Sequence, residues 1–127
     1  MQDDAVAVVE AWQSAGNQRD VAAALALSAP DVAISGPRGN VKGHAILADW
    51  IERAGISLTT VAVYACDGRV VLSQDAVWTA DEASDPHRVA SSFVVLEQQV
   101  SRLARFDSLA GALHDAGLTE ADALSNA

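Results

Sequence analysis

Apolar positions recur at helical spacing through the first part of the chain and in strand-like runs through the second half. After Asp3 and Asp4, both good residues for a helix start, Val6, Val9, Trp12 and Gln13 fall on one stripe, which places Trp12 on a buried side. Gly16-Asn17 ends that helix. Asp20 caps a second, Ala-rich one with an inner face of Val21, Ala24, Leu25 and Leu27, and Pro30-Asp31 breaks it. A short strand over 31–35 follows, then the turn Gly36-Pro37-Arg38-Gly39-Asn40 with room for a brief return strand through Val41. A third helix over 43–54 carries Ile46, Leu47, Trp50, Ile51 and Ala54 on one face, with Gly55 as its expected stop.

The period then changes. Residues 57–66 are rich in Thr, Val and Tyr, and Asp67-Gly68 is a two-residue type I′ hairpin signal leading into a returning strand over 69–80. An acidic loop over 81–86 precedes a second hairpin, 87–97 with 100–106, turning around Gln98. Asp107 opens a helix through His114, Gly117 stops it, and Thr119 with Asp122 forms a capping pair for a last short helix. Helix, helix, strand, helix and a four-stranded antiparallel meander make an α+β protein with its helices on one side of the sheet.

Composition narrows the classes. One domain spanning 1–127 fits 127 residues at 50% hydrophobic and 20% charged. A net charge of −9 argues against nucleic acid and against anionic membranes, since both need clustered Lys and Arg. No apolar run approaches the ~20 residues of a membrane span, and the acidic N-terminus is unlike a signal peptide, so a cytoplasmic location is expected. The lone Cys66 excludes an internal disulfide and reads as a small core residue.

Three stretches, VVEAWQSAGNQRDVAAALALSAPDVAISG, the glycine step from Gly36 or Gly39 into SGPRGNVKGHAILADWIERAG, and VASSFVVLEQQVSRLARFD, give the chain a further meaning. In this order they resemble the nuclear-transport-factor-2-like superfamily, which includes the SnoaL-like polyketide cyclases, over about Val6 to Leu113. The resemblance implies a cone: a curved antiparallel sheet wrapped around the N-terminal helices, with a pocket for a small apolar or amphipathic ligand. It also implies a homodimer through the outer sheet face. Members range from ketosteroid isomerases, cyclases and epoxide hydrolases to proteins without catalysis, so fold does not choose among them.

Where ketosteroid isomerases carry a base and two oxyanion donors, the matching positions are Gly36, Trp12 and Ser92. Gly36 cannot take a proton, and Trp12 and Ser92 supply only an indole N–H and a hydroxyl. The Asp–Arg–Asp cluster of limonene-epoxide hydrolases falls near Asp75, Val77 and Arg105, with one acid missing and the other charges exchanged. An even-numbered hairpin turn would set Ala90, Ser92 and Val94 on one face with Leu103 and Arg105, and the resemblance puts that face inside the cone with Asp75. Trp12, Trp50, Asp75, Ser92 and Arg105 are then the ligand-binding candidates, with Asp75 and Arg105 the catalytic ones. Leu72, Trp78, Phe93, Val95, Val100 and Phe106 would face outward and need the cover of a second copy.

His44, His87 and His114 do not cluster, and no H-x-x-x-H or Cys/His spacing occurs, so neither a metal site nor a cofactor is expected. Gly36 to Gly39 lacks the lysine and serine or threonine of a phosphate loop and reads as a tight turn, with Arg38 near the pocket rim. Two functions follow: a small-molecule pocket protein, catalytic in the manner of an isomerase, cyclase or hydrolase on an apolar metabolite, or a non-catalytic homodimeric module with a vestigial pocket.

Overall fold

The computed structural model describes residues 2–36, 39–54, 56–78 and 87–124. Its elements are α1 (Gln2–Asn17), α2 (Val21–Ala26), β1 (Ser28–Gly36), β2 (Gly39–Lys42), α3 (His44–Ala54), β3 (Ile56–Cys66), β4 (Arg69–Trp78), β5 (His87–Leu96), β6 (Gln99–Phe106) and α4 (Leu109–Ala116), with a 3-10 turn at Glu120–Asp122. The expected element order is present. The loop expected over 81–86, the Gly55 stop, the rim residue Arg38 and the side chains of Trp50 and Trp78 lie outside what is described.

Local chemistry sets the boundaries. Asp20 caps α2 by accepting from the Ala23 N–H, and Gly117 closes α4 in the left-handed region at φ 72°. The cap of α4 is Ser108 rather than Asp107; its hydroxyl accepts from the Gly111 N–H. Thr119 and Asp122 form the capping box read from the sequence. Both hairpins turn on two residues of positive φ, Asp67-Gly68 and Glu97-Gln98, as type I′ turns require.

The six strands form one curved, unclosed sheet in the order β2-β1-β6-β5-β4-β3. All neighbours are antiparallel except β1 and β6. The inner face carries the main core: Val9 and Trp12 of α1, Leu47 and Ile51 of α3, and Val70, Leu72, Phe93 and Leu103 of the sheet, each at most 3% exposed. Trp12 meets Phe93 edge to face at 5.7 Å between ring centroids. Ile46 does not share this core; it is 44% exposed.

Ser28, fully buried at the start of β1, ties the helices to the sheet. Its hydroxyl accepts from the Trp12 indole at 2.8 Å and donates to the Ala24 carbonyl at 2.7 Å, while its carbonyl accepts from His44 Nε2 at 3.0 Å. At the other end of α1, the Asn17 amide takes both the N–H and the C=O of Leu58 on the edge strand β3. That clamp occupies backbone groups that an edge strand otherwise leaves open.

The outer face has its own core. Val71 and Ala90 pack under Ala112, Leu113 and Ala116 of α4, with Tyr64, Cys66 and Phe106 around them. A bidentate Arg102–Asp115 pair, 2.6 and 3.1 Å, fastens α4 to β6. The apolar residues expected to need a partner's cover divide differently: Leu72, Phe93, Val95 and Val100 are inside, and Phe106 is outside under α4.

Candidate functional site

Two bulges decide which side chains enter the cone. In the second hairpin the pairing begins as the turn dictates, Leu96 with Gln99 and Val95 with Val100, and then skips a residue at Ser101, so that Val94 faces Arg102. From there Phe93 pairs with Leu103, Ser92 with Ala104 and Ser91 with Arg105. A matching shift at Val61 in β3 sets Thr60 opposite Gln74. A one-residue slip moves every later side chain to the opposite face.

The candidates named from sequence are thereby separated. Arg105 is on the inner face, half-buried, beside Ser91. Asp75 and Ser92 are on the outer face. Asp75 pairs with Arg88 across the strands at 2.8 Å, both partly exposed, so the expected Asp75–Arg105 pair does not form. Ser92 is buried beneath α4, and the bond from Arg102 holds the Asp115 carboxyl below its ordinary range there. Trp12 is inside but belongs to the packed core, 3% exposed, with its N–H given to Ser28.

A set of neutral polar residues occupies the middle of the cone instead. Ser91 donates to Gln74 Oε1 at 2.8 Å, Gln74 Nε2 donates to Gln13 Oε1, and Gln13 Nε2 donates to Thr60 Oγ1 at 2.9 Å. Ser91 and Gln74 are fully buried and Gln13 is 9% exposed. With Arg105 beside Ser91, this makes a polar belt crossing β3, α1, β4, β5 and β6. Burial pushes the Arg105 guanidinium below its ordinary range.

The belt divides the cone. Below it the inner face is solid apolar packing. Above it Leu58 and Ala76 are buried with Val89 packed against them, while along β5 and β6 Val89 and Arg105 are half-buried and His87 is exposed. Thr60 is half-buried at the β3 end of the belt. None of the buried side chains among the described residues is an acid, and no group of His, Cys, Asp and Glu among them could hold a metal. The arrangement offers hydrogen-bond donors and a cation.

Outside the cone, an open groove of about 700 Å³ runs past Asp31, Lys42, Glu97, Gln99 and Arg102. Its residues are exposed or half-buried. The sequence put Gln13 on the buried stripe of α1, but the resemblance set Asp75 inside the cone and so turned its neighbour Gln74 to the outside. The signal that was present is a glutamine at a core position of α1, which needs a partner.

No family model matches the sequence, and no curated protein matches it. Solved structures do. A protein of Xanthomonas campestris pv. campestris, provisionally a polyketide cyclase, is 26% identical with a TM-score of 0.69, covering 91% of this chain and 98% of that one. An NTF2-like protein of Burkholderia xenovorans LB400 is 17% identical with a TM-score of 0.71, over the same 91% and 98%. TerC, crystallised with polyporic acid, is 17% identical with a TM-score of 0.69, covering 89% and 97%.

Proposed function

We propose that the chain, which shares the fold of NTF2-like proteins, binds a small, largely apolar molecule in the upper half of its cone, above the polar belt. The observation that carries this reading is the belt itself. A cone that only needed filling would be apolar throughout, as its lower half is. Burying a hydroxyl and two amides gains little stability even when all are bonded, because each gives up hydrogen bonds to water. Polar groups fixed at the floor of an otherwise apolar space are how binding sites orient a ligand.

Binding is favoured over catalysis by the separation of Asp75 from Arg105. That split separates the base from the oxyanion partner that the sequence offered, and Gly36 supplies no base at the end of β1. The solved relatives named for a polyketide cyclase and for a polyporic acid complex support a ligand with rings and carbonyl oxygens.

Calorimetric titration with 1-tetralone, a bicyclic ketone, tests the proposal. Saturable one-to-one binding is expected, weakened at least about tenfold, ~1.4 kcal/mol, in Val89→Trp, whose indole would fill the opening. Unchanged affinity in a folded Val89→Trp variant would remove the site from the cone.

A further inference from the structure

The polar belt has a direction. Arg105 carries only donors, and it stands in cross-strand register with Ser91. A cross-strand pair has its Cβ atoms about 5 Å apart. The Ser91 hydroxyl gives its hydrogen to Gln74 Oε1. Once that carbonyl end is fixed, the Gln74 amide presents its N–H to Gln13 Oε1, and the Gln13 amide presents its own N–H to Thr60 Oγ1. Each amide orientation follows from the one before, and each bond polarises the next in the same sense.

The last member is Thr60. Its oxygen accepts from Gln13, and no acceptor among the described residues takes its own hydroxyl hydrogen. Thr60 is half-buried on the inner face of β3, so that hydrogen is available to a molecule in the cone. We propose that Thr60 is the specificity residue of the cone: the hydroxyl at the end of the belt donates to an acceptor oxygen of the ligand, a ketone, quinone or enolate oxygen, and disfavours a ligand that offers a donor there. This rests on the cone-binding reading above. A group that can only donate, such as an ammonium or an amide N–H, would meet at Thr60 a hydroxyl already accepting from Gln13. To accept a second bond, Thr60 would have to leave its own hydrogen unused in a poorly solvated place.

The test compares 1-tetralone with tetralin, which has the same ring system without the oxygen, in wild type, Thr60→Val and Thr60→Ser, with binding followed by ligand-observed NMR. Wild type is expected to prefer the ketone. Thr60→Val should weaken the ketone about five- to tenfold and leave tetralin within about twofold, the range of one neutral hydrogen bond. Thr60→Ser should restore the ketone preference. The hydrocarbon arm separates loss of a donor from damage to the cone, since a misfolded variant loses both ligands. If both ligands bind wild type and Thr60→Val leaves their ratio unchanged, the role of Thr60 is wrong while the cone site stands. If neither ligand binds wild type, the cone-binding reading fails and the role of Thr60 with it.

Discussion

Removing Gln74 alone should damage the protein more than removing the whole belt. Gln74 is fully buried and bonds on both sides, accepting from Ser91 and donating to Gln13. Gln74→Leu keeps roughly the volume, so little cavity forms. It strands the Ser91 hydroxyl, fully buried, and the Gln13 carbonyl, in a residue 9% exposed. Leaving a buried polar group unpaired costs about 1–3 kcal/mol, so two such groups make the loss about 2–6 kcal/mol. The combined variant Gln13→Leu, Thr60→Val, Gln74→Leu, Ser91→Ala leaves none of the belt's four neutral members stranded and buries apolar groups in their place. It is expected within about 2 kcal/mol of wild type, and to have lost discrimination between a ketone and its hydrocarbon. Urea unfolding with unchanged slope measures both. A single substitution costing under about 1 kcal/mol, or a combined variant less stable than Gln74→Leu, would refute the view that the belt is a connected network kept at little gain in stability.

Other consequences are equally direct. Asn17→Ala breaks both bonds of the Leu58 clamp and should cost about 1–3 kcal/mol in urea unfolding, with faster hydrogen exchange at the Leu58 amide; unchanged exchange there would mean the clamp does not hold the edge. The Asp115 carboxyl is lowered from 3.8, first by its bond to Arg102, so its contribution is complete above the unfolded pKa and is lost as pH falls through the folded one. Wild type should therefore exceed Asp115→Asn in stability at neutral pH, by no more than about 1 kcal/mol for so exposed a pair, with the gap closing below about pH 4. A gap that persists at pH 2 would place the effect elsewhere than in this ion pair.

Fold and site were legible to different depths, for a physical reason. Helix caps, hairpin turns and the order of elements are local, and Asp20, Asp67-Gly68 and the Thr119–Asp122 box announced them correctly. Which face of a strand looks inward is not local. It depends on bulges at Val61 and Ser101, residues with no special conformational chemistry, and on what lies across each face. Even-numbered turn logic held from Leu96 to Val95 and failed one residue later. That single slip sent Ser92 outside, kept Arg105 inside and brought Ser91 beside it. Burial of Leu72 and Phe93 could have shown the correct phase, since a face of Val70, Leu72, Phe93 and Leu103 is too apolar to be anything but the main core. The covering of the outer face was missed for a related reason: Ala112, Leu113 and Ala116 form a stripe on α4 that needs a sheet to pack on, and the sheet's outer side supplies it in the same chain.

The central claim is that a ligand sits above the belt with an acceptor oxygen toward Thr60. A crystal structure of the protein with 1-tetralone tests it most directly. The ring system is expected between Val89 and Arg105, with the ketone oxygen within hydrogen-bonding distance of Thr60 Oγ1. A ketone seated instead in the outer groove by Asp31 and Arg102, or in the cone with its oxygen turned away from Thr60, would contradict it.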